Sequence, residues 1–351
     1  MLIARIEALA DRPVSLMEVC GTHTMAISQF GIRGLIPGAV TLLSGPGCPV
    51  CVTPLADIDR MIAIARLDGV TVATFGDMVR VPGSGGSLGR ARADGADVRI
   101  VYSPLDALEI AAGAPDRQVV FAGVGFETTA PTIAATVAAA RQRGIGNFTV
   151  YPAFKLVPPA LQALLSGRQA KIDGFLLPGH VSAVIGLAPY RFIAELHRTP
   201  CAVAGFEPLD ILAGIVSLLE QRRAGQALIA NSYSRAVPEQ GNPEARRLLD
   251  EVFLAADASW RAIGDIPGSG LAFRPGYGAF DASLRFPVSV PPAAEPEGCL
   301  CGRVMMGLAQ PHQCGHFGKR CTPSDPVGPC MVSSEGVCAA WHKYGTPARE
   351  R

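Results

Sequence analysis

Between Pro13 and about Tyr233, short apolar runs alternate with longer amphipathic ones. That alternation marks strand and helix units wound around parallel sheets. It predicts strands at Val14–Val19, Ala39–Ser44, Val70–Phe75, Val98–Tyr102, Gln118–Val124, Asn147–Tyr151, Gly174–Leu177, Cys201–Ala204 and Ala227–Asn231. Nine strands are many for one small sheet. Between them, Thr53 reads as an N-cap and Pro54 as the first helical residue of a run whose face is Leu55, Ile58, Ile62 and Ala65. Pro208 opens a second such run, with Ile211, Leu212, Ile215, Val216 and Leu219 at helical spacing before Gly225. Gly-Phe-Glu follows a strand twice, at Gly125–Glu127 and Gly205–Glu207. Two similar lobes would explain both the echo and the number of strands.

The fold expected is therefore α/β, with two similar parallel-sheet lobes at residues 1–115 and 116–235. A third part, 236–351, begins with a helix over Pro243–Ala256 and continues as irregular linker, "IPGSGLAFRPGYGAF" and "FPVSVPPAAEPEG". It ends in a loop-rich, cysteine-rich segment with almost no apolar periodicity, held by something other than a core.

Composition narrows the class. The 351 residues are 49% hydrophobic but only 6% aromatic, so the cores must be aliphatic. Thirty-one basic residues balance thirty acidic ones with no long charged run, which removes any electrostatic call for nucleic acid or an anionic membrane. The N-terminal "MLIARIEALADRP" carries Arg5 and Glu7 and reads as an amphipathic helix, and no apolar stretch approaches the roughly 20 residues of a membrane span. A cytoplasmic protein is expected, and in a reducing compartment its ten cysteines point to metal or redox chemistry rather than disulfides.

Five unusual stretches each follow a predicted strand: "CGTHT" (Cys20–Thr24), "GPGCPVC" (Gly45–Cys51), "GFETTAP" (Gly125–Pro131), "PGHVS" (Pro178–Ser182) and "FEPLD" (Phe206–Asp210). Sites in parallel sheets form beyond the carboxyl ends of strands, so these loops should converge. Cys20 and His23, three apart, would share one side of a first helical turn as a metal pair or an activated thiol; a buried cysteine beside a capping histidine is the bland alternative. Cys48 and Cys51 form a Cys-x-x-Cys suited to a redox pair, or to half a metal site. Thr128 or Thr129 would cap a helix, whereas nothing structural requires the carboxylate of Glu127, which suits proton handling. His180 is either structural or a cleft residue.

Cys299, Cys301, Cys314, Cys321, Cys330 and Cys338 crowd the last 53 residues. Such a weakly apolar segment calls for a metal centre, either structural zinc or a cubane cluster on four thiolates. Cys314, Cys321, Cys330 and Cys338 are the evenly spaced four, and Cys299 and Cys301 would remain as a thiol pair.

Together "CGTHT", "GPGCPVC", "GFETTAP", "PAFKLVPPAL", "PGHVS" and "CTPSDPVGPCMVSSEGVC", in this order from Val14 to Tyr344, resemble the HypD family of [NiFe]-hydrogenase maturation proteins. The resemblance implies a redox-active assembly scaffold, rather than a conventional turnover enzyme, for the Fe(CN)2(CO) group. It implies HypC as docked partner, transient iron at Cys20 with His23 beside it, and cyanide from HypE of the HypF–HypE system. It also implies a C-terminal [4Fe-4S] cluster feeding electrons through thiol pairs. Placement after strands is expected to set Cys48 and Cys51 facing Cys20 across a cleft, one strand away, with Glu127, Thr128 and His180 lining it. The rival reading is a stand-alone iron–sulfur-dependent protein disulfide reductase.

Overall fold

The computed structural model describes residues 1–167 and 169–345. All nine expected strands form, with small shifts at their ends: β1 (Val14–Glu18), β2 (Val40–Ser44), β3 (Val70–Thr74), β4 (Asp97–Ile100), β5 (Gln118–Gly125), β6 (Phe148–Phe154), β7 (Gly174–Pro178), β8 (Cys201–Ala204) and β9 (Ile229–Asn231). They make two parallel sheets, in the orders β2-β1-β7-β8-β9 and β4-β3-β5-β6.

The sheets do not follow the expected division at residue 115. Strands β1 and β2 join β7–β9, and the sheet of β3–β6 is inserted between them in sequence. Side-chain burial explains the pairing. Along β1 and its neighbour β7, Leu16 and Leu176 enter one core while Met17, Phe175 and Leu177 enter another, so both faces of the central strands are covered.

A second difference lies at residues 253–273. The helix is shorter than expected, Pro243–Val252, and the chain continues into an antiparallel hairpin, β10 (Phe253–Trp260) with β11 (Gly264–Phe273). The register shifts between Ala256 and Ala258, and alanine and glycine fill much of both strands, so no alternation announces them. Trp260 anchors the hairpin, donating Nε1–H to Ser269 Oγ at 2.8 Å. Thr53 is likewise not the expected N-cap: it closes the short helix Pro49–Val52, donating Oγ1–H to the Pro49 carbonyl at 2.8 Å, and Pro54 precedes the helix Leu55–Ala65.

The cysteine-rich segment has a small core after all. Val304, Val337 and Trp341 are buried together, and the Arg33 guanidinium lies 5.5 Å over the Trp341 ring. Its helix Val337–Tyr344 packs on Gly21–Gln29, and Pro329–Val332 packs on Pro49–Val52. The segment is thereby folded onto the carboxyl ends of β1 and β2. Among the described residues no helix is long and apolar enough to cross a membrane.

Candidate functional site

Cys20 leaves β1 in extended conformation (φ −152°, ψ 124°) and stands at the N-cap of Gly21–Gln29. Its thiol faces the backbone N–H groups of His23 and Thr22 without closing a cap hydrogen bond. Burial pushes it up to about 12, and the nearby Glu335 and Glu18 add to that. The side chain that meets it is His180, with Nε2 3.6 Å from Sγ. His180 follows β7, the strand paired with β1, so parallel pairing makes this contact. Burial lowers the His180 pKa, which favours the neutral imidazole.

His23 is not turned to the thiol as its spacing suggested, because Cys20 lies outside the helical turn. Its Nε2–H donates to the Gly205 carbonyl at 2.9 Å. Burial drops its pKa to about 4, and Nδ1 is left buried without a partner. Phe206 packs on both imidazoles, 5.0 Å from His23 and 4.8 Å from His180 between ring centres.

Two acidic residues complete this loop cluster. Glu18 ends β1 and accepts from Thr24 Oγ1 at 2.5 Å and from the Cys20 N–H at 3.1 Å; burial raises it to about 7 despite those bonds. The lone carboxylate in the apolar run Val14–Val19 was its signal in the sequence. Glu335 arrives from the C-terminal segment, accepting from Thr22 Oγ1 at 2.9 Å. A Cβ on Gly21 would lie 2.4 Å from Glu335 Cβ, and one on Gly47 2.2 Å from the Cys20 nitrogen. These contacts give the glycines of "CGTHT" and "GPGCPVC" their reason: the two loops and the C-terminal segment close directly on one another.

Cys48 caps Pro49–Val52, its Sγ accepting the Cys51 N–H at 3.2 Å. The Cys51 thiol then meets Cys330 as well as Cys48, rather than Cys20, and Cys330 in turn meets Cys301. Burial, and then Cys48, raise the Cys51 thiol's pKa against the opposing contact with Cys330; for Cys330 the contact with Cys301 lowers it, but Cys51 and burial together raise it above the ordinary thiol value. Beyond them a small cavity is lined by Cys299, Cys301, Cys314, Cys321, Cys338 and His316. Cys330 is absent from that lining, where Cys299 and Cys301 stand with Cys314, Cys321 and Cys338. Gly328 keeps the cavity clear, since a Cβ there would come 2.9 Å from Cys299 Sγ. Among the described residues no three Cys, His, Asp or Glu side chains are posed around a single metal ion. The donor set nevertheless fits an iron–sulfur cluster in kind, soft thiols, and in place, around one cavity.

Glu127 follows β5, and both it and Cys20 act electrostatically on the buried Tyr190. Its Oε1 accepts the Val157 N–H at 2.9 Å, while Oε2 is buried without a partner near Tyr190, and burial raises the carboxyl to about 7. Thr128 makes no side-chain hydrogen bond among the described residues, and Thr129 stands at the N-cap without a capping bond, packed where a Cβ on Gly125 would be. The echoed Glu207 is exposed; its neighbour Asp210 instead accepts two bonds from Arg235, at 2.8 and 2.6 Å.

A family model described as "Hydrogenase formation hypA family" (HypD) matches residues 1–345. The chain is 47% identical over 349 residues to the hydrogenase maturation factor HypD of Rhodobacter capsulatus, covering 98% of this chain and 93% of that protein. It is 47% identical over 336 residues to HypD of Escherichia coli K12, covering 95% and 90%. A putative hydrogenase expression/formation protein of Methanocaldococcus jannaschii is 40% identical over 344 residues, covering 97% and 96%. The chain belongs to the HypD family of hydrogenase maturation factors.

Proposed function

We propose that this maturation factor is the scaffold on which, with HypC docked, the Fe(CN)2(CO) group of [NiFe]-hydrogenase is assembled, with cyanide accepted from HypE. The carrying observation is the Cys20–His180 contact at 3.6 Å, where among the described residues Cys20 has no hydrogen bond to a second cysteine. Iron bound there as cargo needs further ligands, and a docking protein's cysteine supplies one. A thiol held at about 12 must shed its proton to bind iron. The neutral His180 imidazole beside it accepts that proton, and the arriving cation stabilises the thiolate.

Cys299, Cys314, Cys321 and Cys338 are the residues that would hold a [4Fe-4S] cluster, which supplies electrons one at a time. Cys301, Cys330, Cys51 and Cys48 run from that cavity toward the Cys20 loop. Exchange from the Cys301–Cys330 dithiol to a Cys48–Cys51 disulfide would leave Cys48 and Cys51 reduced and Cys301 and Cys330 joined. Two electrons and two protons then move, and no sulfur bond is lost. A stand-alone protein disulfide reductase fits less well, because it needs a dithiol open to its target and Cys48 and Cys51 are 5% and 1% exposed.

The test is infrared spectroscopy of protein co-purified anaerobically with HypC. Bands of iron-bound cyanide and carbon monoxide, lost in Cys20→Ala, are expected. Their absence together with robust reduction of protein disulfides would favour the reductase.

A further inference from the structure

The turn between β10 and β11 holds an arginine that the assembly scheme leaves unused. Arg261 is only 4% exposed, although an arginine is almost never fully buried unless paired. Its Nε–H donates to both oxygens of Glu295, at 2.8 and 3.0 Å, while Nη1 is buried with no hydrogen-bond partner. The Glu295 side chain is half exposed, so water screens the carboxylate more than it screens the guanidinium.

Three contacts fix where this cation stands. The Arg261 N–H donates to the Val52 carbonyl at 2.8 Å, one residue after Cys51 and at the end of the short helix that Cys48 caps. Ala262, next in the chain, has φ +70°, a left-handed conformation uncommon for a residue that carries a Cβ. It lies against Gly302, where a Cβ would come 2.3 Å from the Ala262 Cβ. Gly302 follows Cys301, and Glu295 precedes Cys299 by four residues. Residues 295–302 therefore run from the Arg261 head to the Ala262 methyl, and on the way they supply Cys299 and Cys301 to the wall of the cysteine cavity. Cys301 and burial push the Cys299 thiol up, and Arg261 opposes them, so its charge is felt at that wall. Arg303, Lys319, Arg320 and Lys343 of the same segment are exposed, and water screens them.

We propose that Arg261 is a positioning residue for the iron–sulfur cluster assigned to this cavity, a buried cation that raises the cluster's reduction potential toward that of the neighbouring thiol pair. The inference rests on the cluster reading given under the proposed function. Its sign follows from charge. Four thiolates make such a centre anionic and an added electron makes it more so, so a fixed cation away from water favours the reduced form. The bond to Val52 ties the same residue to the Cys48–Cys51 turn, which places the tuning charge between the electron source and the thiols that receive from it.

The experiment uses the full chain purified anaerobically, with iron and sulfide analysis and a potentiometric titration of the cluster followed by electron paramagnetic resonance. Arg261→Gln should keep the iron and sulfide but shift the reduction equilibrium at least tenfold toward the oxidised form, 59 mV for one electron. Arg261→Lys, which keeps the charge, should stay within threefold of the wild type. Glu295→Gln removes the screened counter-charge and should shift the equilibrium at least twofold the other way. Loosened packing would admit water, which favours the more highly charged reduced form, so a merely structural role for Arg261 would move the Arg261→Gln reading upward. A midpoint unchanged or raised in Arg261→Gln, or unchanged or lowered in Glu295→Gln, would overturn the proposal while the cluster reading stands. Wild-type protein without iron and sulfide would refute the cluster reading and the proposal with it. Glu295→Gln alters only a half-exposed side chain, so it decides the matter even if Arg261→Gln fails to fold.

Discussion

Replacing Glu127 by Gln isolates the energetic consequence of a buried carboxyl. Burial raises its pKa from 4.5 to about 7, with one oxygen on the Val157 N–H and the other unpartnered. A carboxyl whose pKa is higher folded than unfolded stabilises the fold fully below its unfolded value, and loses that contribution as pH rises through the folded value. The gap between 4.5 and about 7 corresponds to about 3 kcal/mol in all. Integrated between pH 5.5 and pH 8, the wild type should lose about 2 kcal/mol through this group. Glu127→Gln keeps an acceptor for Val157 and carries no charge, so its stability should lack this loss. Urea unfolding of both proteins at the two pH values measures the gap, and Glu18, also raised to about 7, titrates in both and cancels. The gap should move by about 2 kcal/mol toward the variant as pH rises. A gap that does not change with pH would mean that Glu127 ionises near its ordinary pKa, and the account of its burial would be refuted.

Other perturbations address the remaining contacts. Gly47→Ala places a Cβ 2.2 Å from the Cys20 nitrogen, against backbone that has no rotamer to change, and should cost at least the about 1–3 kcal/mol typical of overpacking, read as a lowered thermal midpoint. Ser variants of Cys299, Cys314, Cys321 and Cys338 should each lower the iron and sulfide content of anaerobically purified protein. Cys330→Ser should spare that content but leave Cys48 and Cys51 oxidised in thiol trapping; loss of iron in Cys330→Ser with none in Cys299→Ser would reverse the assignment. His180→Phe removes the only imidazole in contact with Cys20 Sγ among the described residues, and should slow alkylation-sensitive exposure of the Cys20 thiolate while leaving the fold's melting temperature within a few degrees.

The buried state of the thiols gives these variants a common logic. Cys20, Cys51 and Cys330 all lie in surroundings that favour the protonated form. A cation, or a sulfur–sulfur bond, is therefore what makes each of them reactive or stable, and neither is supplied by solvent. Closure of the C-terminal segment through Glu335 and Thr22 keeps that solvent out.

Local features were legible in the sequence. Each strand and each strand-end motif is a matter of a few consecutive residues, with apolar period, turn-forming glycine and proline, and helix starts, so all nine strands were found where they fold. The hairpin at 253–273 escaped because its alanines and glycines carry no such pattern. Pairing between distant parallel strands is a different matter, since it is decided by which assembly covers the most apolar surface and no short window contains that information. Tertiary structure alone set β7 beside β1, and so made His180 rather than His23 the neighbour of Cys20. It alone brought Cys330 to Cys51, because spacing records how far apart cysteines lie along the chain and not which point in space their sulfurs reach.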